Sequence, residues 1–416
     1  MKKELEELFE LYNRQLALNQ NLLEEIVNKE VDPNDEHGTL QGLSKQSEKL
    51  MNFKNNPKDK EEYPRPDVGI LYSLKREDTK NDFVKILSER EEFIDKTFTF
   101  FTIEDIEMRD ELIYGFYIDS KHEMSEKPTR FPKLIYNLAL HSRGSSVRKM
   151  RKLRVNDEIE LINPVNWFRQ DILFDMLSSL SIGEKYLLPY DTLSEKVLEE
   201  FLSKYKYLYI VPRRDYKHPE IITIKRLNDK EVLLSIGKNH QQIPRKDIYL
   251  NIQKVIRGAR YNVYKGIPSL KWNGMPAECR VYVQKDINGI WKVSAKLIKN
   301  ELFASGSLYR NSVKKIEDFF VEYINDINTE IKDMLERVPI DFATYLDFYI
   351  PDVGSYTFDF VIKSKDSIYL IYIGGFEQYD YISLNSKKSW NSYMNYVFDL
   401  IQYRLIRCDK NEKLMD

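Results

Sequence analysis

Two stretches constrain this chain more than anything else in it. From Ala277 to Trp291 the sequence reads AECRVYVQKDINGIW, and from Ile368 to Phe376 it reads IYLIYIGGF. Strands are expected over Arg280–Gln284 and Ile290–Leu297, joined through Asp286-Ile287-Asn288-Gly289, because Asn and Gly accept the positive φ of a tight turn. A second hairpin is expected from Tyr356–Lys363 and Ser367–Ile373, turning at Ser364-Lys365-Asp366. One long amphipathic helix, Val313–Leu335, is expected between the hairpins, and a helix over Trp390–Arg407 follows them.

With 416 residues, 42% hydrophobic and 31% charged, the chain has enough apolar residues for two or three packed units. Lys plus Arg number 64 against 66 for Asp plus Glu, so no long-range field favours nucleic acid or an anionic membrane, and any anion site must be local. No stretch approaches the ~20 uncharged residues that cross a bilayer. The start, MKKELEELFELY, places acidic residues where a signal peptide has an apolar core, so a cytosolic location is expected. Cys279 and Cys408 stand alone, without CxxC or Cys/His spacing, which argues against a disulfide framework or a thiolate zinc site.

Along residues 1–30, Leu5, Leu8, Phe9, Tyr12, Leu16, Leu22, Leu23 and Ile26 recur at roughly helical spacing among Glu, Lys, Asn and Gln, giving an expected amphipathic helix. It can lie on its own protein, in a coiled coil or in a partner's groove. A polar, Pro-containing linker closes this extension, 1–66. A small, mostly parallel α/β unit over 67–155 is expected next. It includes Val68–Tyr72, a helix over Asp82–Phe93, and strands over Thr97–Phe101, Leu112–Tyr117 and Lys133–Asn137. It ends in the densest basic stretch, RGSSVRKMRKLR at 143–154, which suits either a phosphate or acidic partner or a solvated helix face. In 156–416, helices are expected over Trp167–Ser179 and Leu193–Tyr205, with Thr192 or Ser194 as the N-cap of the second. Strands are expected over Tyr207–Val211, Glu220–Lys225 and Glu231–Ile236. His141 and Ser142 lack a GxSxG context, the other histidines lack HExxH or HxH spacing, and strand and helix packing accounts for most of the 28 tyrosines.

In this order, several strings resemble the YheC/YheD type of ATP-grasp protein, a family associated with the endospore coat of Bacillus-like bacteria. These are VGILY at Val68, FPKLIYN at Phe131, LINP at Leu161, YLLPYDT at Tyr186, LYIVP at Leu208 and RVYVQKDINGIW at Arg280. The resemblance covers about residues 67–405. It implies an α/β protein in which an ATP-grasp fold of two subdomains, 156–416, follows a small parallel-sheet α/β domain, 67–155, and a helical extension.

The resemblance also implies a chemistry in which ATP phosphorylates a carboxylate and an amine or thiol displaces the phosphate. That chemistry needs a lysine on phosphate oxygens, a glycine-rich loop closing over them, and oxygen ligands for Mg²⁺. The lysine before proline is Val211 here; the loop Arg213-Arg214-Asp215-Tyr216-Lys217-His218-Pro219 has no glycine; and the metal strand, Glu-x-Asn in the family, reads Tyr372-Ile373-Gly374. Other positions match. Gln253 stands near the family's adenine hinge, Arg280 retains the phosphate-clamping guanidinium, and Lys299 takes the place of a family Arg. Asp359 matches an Asp supporting the metal, and Glu278 replaces an Asp. With Arg213 and Arg214 these form a vestigial nucleotide- or anion-binding set, with no catalytic and no metal residue expected.

The expectation is therefore an inactive, structural or scaffolding ATP-grasp-like protein without cofactor, cytoplasmic or in the spore coat. It would engage protein partners through the N-terminal helix or the former cleft and bind no nucleic acid. One alternative is a ligase using ATP and Mg with rearranged ligands. Another is a metal-independent module holding a nucleotide or anionic peptide near Arg213, Arg214, Arg280 and Lys299.

Overall fold

In the computed structural model the described residues are 62–73, 77–139, 141, 144–166, 168–213, 222–236, 239–272, 275–299, 313–324, 330–364, 366–375, 382 and 387–415. The expected N-terminal helix, most of its linker and Arg214 lie outside them.

The first unit is built on a seven-stranded sheet. Strands β1 (Val68–Leu71), β2 (Phe98–Phe101), β6 (Leu134–Asn137) and β7 (Glu160–Ile162) run parallel, with helix α1 (Glu77–Ser88) between the first two and α2 (Gly144–Arg154) between the last two. These parallel strands are short and wholly or largely buried, as runs covered on both faces must be. Strands β3 (Ile106–Glu107), β4 (Leu112–Ile118) and β5 (Met124–Arg130) add an antiparallel flank, so the sheet is mixed rather than mostly parallel. The expected helix over Asp82–Phe93 lies earlier, at Glu77–Ser88, and Glu91–Phe93 forms a separate 3₁₀ turn. Because β7 pairs with β6, this unit extends past residue 155 to at least Ile162.

Next come α3 (Gln170–Ser178) and α4 (Ser181–Tyr186), then a six-stranded antiparallel sheet. Its strands are β8 (Tyr190–Thr192), β9 (Tyr207–Pro212), β10 (Ile222–Arg226), β11 (Glu231–Ile236), β12 (Asn239–Pro244) and β13 (Tyr261–Gly266), in the order β12-β11-β10-β9-β13-β8. Helices α5 (Glu195–Lys204) and α6 (Ile248–Ile256) cover one face, burying Leu198, Leu202, Ile248, Ile252 and Ile256 against Leu208, Ile210 and Val263. Ser194 caps α5 through its Oγ, which accepts from Val197 N at 3.2 Å.

A short ladder of β14 (Lys271–Trp272) and β15 (Met275–Pro276) leads into the third sheet. This sheet runs β18-β17-β16-β19-β20, from β16 (Glu278–Lys285), β17 (Trp291–Lys299), β18 (Val313–Lys315), β19 (Ser355–Ser364) and β20 (Ser367–Gly374). Both expected hairpins form. Gly289 takes φ +72°, and Asp286 Oδ1 accepts from Asn288 N and Ile290 N at 2.9 and 3.0 Å, closing the first turn.

The expected helix over Val313–Leu335 does not form as one element. Val313–Lys315 pairs as β18, a short helix α7 (Ile316–Phe319) runs into a π turn, and a separate helix α8 spans Glu330–Tyr349. Pro339 reads as a helix breaker in sequence, yet it sits inside α8. The burial of Ile331, Leu335, Val338, Phe342 and Leu346 offsets the hydrogen bond that the proline removes.

Helix α8 covers one face of the third sheet, against Cys279, Val281, Phe358 and Phe360. Helix α9 (Lys387–Met415) covers the other, where Tyr393 meets Tyr282 edge-on at 5.6 Å. The same helix packs Phe398 against Phe83 and Phe93 of the first unit at 4.5 and 5.5 Å, joining the two units through one core.

Candidate functional site

Side chains alternate along a strand, so Glu278 and Arg280 on β16 share one face of the third sheet. Register completes the set: Lys299 on β17 lies opposite Glu278, and Asp359 on β19 lies opposite Arg280. All four are buried, none more than 1% exposed.

Arg280 clamps Asp359 in a two-pronged pair, Nε to Oδ1 at 2.7 Å and Nη2 to Oδ2 at 2.6 Å. Lys299 Nζ donates to Asp359 Oδ2 at 2.9 Å and also pairs with Glu278 Oε1. Burial would raise the Asp359 carboxyl, but the Arg280 and Lys299 charges outweigh it and hold that carboxyl well below the usual range. Burial pushes Glu278 up to about 8; Lys299 opposes the rise and Asp359 adds to it. Arg280 and Lys299 thus both bear on Asp359 and offset its charge.

The metal strand of the family maps to the neighbour of this cluster. Tyr372 on β20 lies opposite Asp359, and Gly374 lies opposite Thr357. A phenol and a glycine replace the carboxylate and amide that octahedral Mg²⁺ requires, while both Asp359 oxygens already serve Arg280 and Lys299. Among the described residues no group of three or more His, Cys, Asp or Glu side chains is placed to hold a metal ion. Tyr372 and Gly374 thus supply no carboxylate or amide side chain on β20.

The other expected residues stand elsewhere. Val211 pairs with Asn262 on β13, leaving an isopropyl group where phosphate would need an ammonium. Arg213, just past β9, pairs with Asp171 at the start of α3, which also takes Arg169 at 2.6 and 3.1 Å. Burial raises the Asp171 carboxyl, but hydrogen bonds from the two guanidinia bring it below its ordinary value. Gln253 lies half-buried on α6.

Arg213 lines a cleft of about 580 Å³ with Asp171, Asp175, Glu184, Tyr190 and Asn262. Four carboxylates border it, counting Asp191, so its field opposes an anion. Sequence reasoning missed this cleft. The YLLPYDT string at Tyr186 drew notice for its order along the chain, and nothing in it indicates that α3 lies alongside.

A second polar group also escaped notice, between the first unit and the third sheet. Asn137 Nδ2 donates to Asn163 O at 2.9 Å, Asn163 Oδ1 accepts from Gly354 N at 2.7 Å, and Asn166 Nδ2 donates to Asn137 O and Ala139 O at 3.1 and 3.0 Å. Asn163 holds φ +56°, which asparagine tolerates better than most residues. His141 faces Asn137 Oδ1 at 3.3 Å, and burial lowers its imidazole to about 4.

The sequence pattern of the "YheC/D like ATP-grasp" family matches residues 158–391. No curated protein matches the chain. Among solved structures, the D-alanine–D-alanine ligase from Coxiella burnetii is similar at 12% identity and TM-score 0.43, covering 84% of this chain and 97% of that one. ATP-grasp ligase PsnB, complexed with minimal precursor, Mg and ADP, is similar at 10% identity and TM-score 0.46, over 81% and 98%. D-cycloserine synthetase DcsG is similar at 13% and 0.46, over 81% and 99%.

Proposed function

We propose, from the premise that the chain belongs to the YheC/D-like ATP-grasp family, that it is a structural or scaffolding member without phosphoryl-transfer chemistry. The observation that carries this reading is the buried tetrad. The arginine that would clamp phosphate and the aspartate that would support the metal bind each other, and Lys299 fills the remaining valence of Asp359.

An enzyme of this family keeps its cations and carboxylates for charge that develops on substrate, which requires them to be available when the nucleotide arrives. Here, opening the Arg280–Asp359 pair would leave a buried charge uncompensated, at about 3–5 kcal/mol. Tyr372 and Gly374 offer no ligand to repay that cost. A ligase with rearranged ligands would have to draw Asp359 away from both cations.

An anion-binding module is the weaker alternative. Arg280 and Lys299 are internally satisfied, and Arg213 opens onto a cleft bordered by carboxylates. The scaffold reading assigns partner engagement to the N-terminal extension, and the resemblance extends it to the endospore coat. No helix among the described residues is long and apolar enough to cross a membrane.

Calorimetry and thermal melting with ATP, with and without Mg²⁺, test the reading. No binding heat and an unchanged Tm are expected, whereas a ligand at 100 times its Kd would add about 2.7 kcal/mol to stability. Saturable, magnesium-dependent binding would overturn the proposal in favour of the ligase.

A further inference from the structure

Helix α2 (Gly144–Arg154) buries Ser146, Met150 and Leu153 and turns Arg148, Arg151, Lys152 and Arg154 to solvent. Arg148, Arg151 and Lys152 stand at i, i+3 and i+4, so they form one stripe, and Arg154 lies one turn on from Arg151. Among the described residues none of these four makes an ion pair or a side-chain hydrogen bond. Lys149, in contrast, is committed to the fold, donating to Ile103 O at 2.9 Å and Ile106 O at 2.7 Å. The helix dipole favours cations near its C-terminal end, but like charges one turn apart repel each other. The stripe is an unanswered positive surface in a chain whose total charge is −2.

The described chain begins beside this helix. Arg65 Nη2 donates to Glu158 O at 3.1 Å and pairs with the Glu158 carboxylate at 3.4 Å, four residues past the end of α2. Residues 1–61 therefore join the first unit at the foot of the stripe. Near their start is KKELEELFE, residues 2–10, with four glutamates against Lys2 and Lys3. On the helix expected from sequence, at 100° per residue, Glu6, Glu7 and Glu10, with Lys3 among them, would fall opposite Leu5, Leu8, Phe9 and Tyr12, with Glu4 at the edge. The stretch 31–61 has a reach of roughly 30 Å even at the random-coil scaling of about 5–6 Å × √n, which exceeds the ~16 Å length of α2.

We propose that the acidic side of this N-terminal segment, Glu4, Glu6, Glu7 and Glu10, docks on the Arg148–Arg151–Lys152–Arg154 stripe of its own chain and leaves the Leu5, Leu8, Phe9 and Tyr12 side open to a partner. Length, point of attachment and sign of charge all agree. The docking is independent of whether nucleotide binds, so its failure and that of the scaffold reading are separable.

Carbodiimide cross-linking of the full chain tests it, because the reagent joins a carboxylate to an amine only when the two touch. Peptide mapping of the monomer band should show Lys152 joined to one of Glu4, Glu6, Glu7 or Glu10. Raising salt from 0.05 to 0.5 M should cut the yield about fivefold or more, as the screening length shrinks to a few ångströms. Arg148→Glu with Arg151→Glu should abolish the cross-link although Lys152 and all four glutamates remain, and these exposed substitutions should leave the melting temperature unchanged. A missing cross-link, one that persists in the double variant, or one found only in a dimer band would overturn the proposal. The last result would assign the stripe to a second copy.

Discussion

Replacing Asp359 by Asn removes one charge and almost none of the side chain's shape, which makes it the cleanest perturbation of the buried tetrad. At an effective dielectric near 20, a charge pair at contact is worth about 4 kcal/mol, so losing the attractions to Arg280 and Lys299 forfeits about 8. Relief of the penalty for burying the Asp359 charge returns roughly half. A net loss of about 3–5 kcal/mol is expected, a third or more of the stability of an ordinary fold. Urea denaturation followed by tryptophan fluorescence reads this directly, since Trp291 and Trp390, each 5% exposed, pack on opposite faces of the third sheet. A companion variant, Glu278→Leu, Arg280→Met, Lys299→Met and Asp359→Leu together, should lose less than Asp359→Asn, because it removes the charges without stranding any. A midpoint for Asp359→Asn within about 0.5 kcal/mol of the wild type would refute the reasoning, as would a quadruple variant weaker than the single one.

His141 predicts a pH dependence. Burial lowers its imidazole from 6.5 to about 4, so the folded state binds fewer protons than the unfolded chain between those values. Its contribution is present above pH 6.5 and is lost as pH falls through 4. His141→Gln should flatten the wild-type decline by on the order of 3 kcal/mol over that window, read as Tm against pH. Gly115→Ala should destabilise the first unit by about 1–3 kcal/mol, because an added Cβ would sit 2.3 Å from Phe100 O in the neighbouring strand. Ser194→Ala should cost about 0.5–2 kcal/mol through the lost α5 cap, measured by urea melting. Cys408 is half-exposed and Cys279 buried, so a thiol reagent should titrate one group in the native protein and the second only on unfolding.

Local chemistry carried much of the fold. The Asp286–Gly289 turn, the Ser194 cap and the short apolar strands of the first unit can each be read within a few residues, and each formed. The failures required distant partners. The continuous helix expected over Val313–Leu335 gave way because Val313–Lys315 finds an edge on β17, a pairing no local pattern announces. Pro339 stands inside α8, where a tertiary core offsets its cost. The members of the tetrad were each visible in sequence, yet Arg280 and Asp359 are 79 residues apart and Lys299 and Asp359 are 60 apart. Only strand register reveals that they neutralise one another. Arg213, which sequence places in the vestigial anion-binding set, is paired with Asp171 because α3 lies alongside.

Helix α9 follows every described strand, yet it supplies Phe398 to the core of the first unit and Tyr393 to the third sheet. A ribosome must therefore deliver all of both sheets before either can be sealed. At ~5–20 residues per second, aromatic surface waits tens of seconds for its cover, within reach of chaperones or neighbouring nascent chains. A stop codon just ahead of Lys387 would spare every described strand and still yield two half-closed bodies destined for proteolysis.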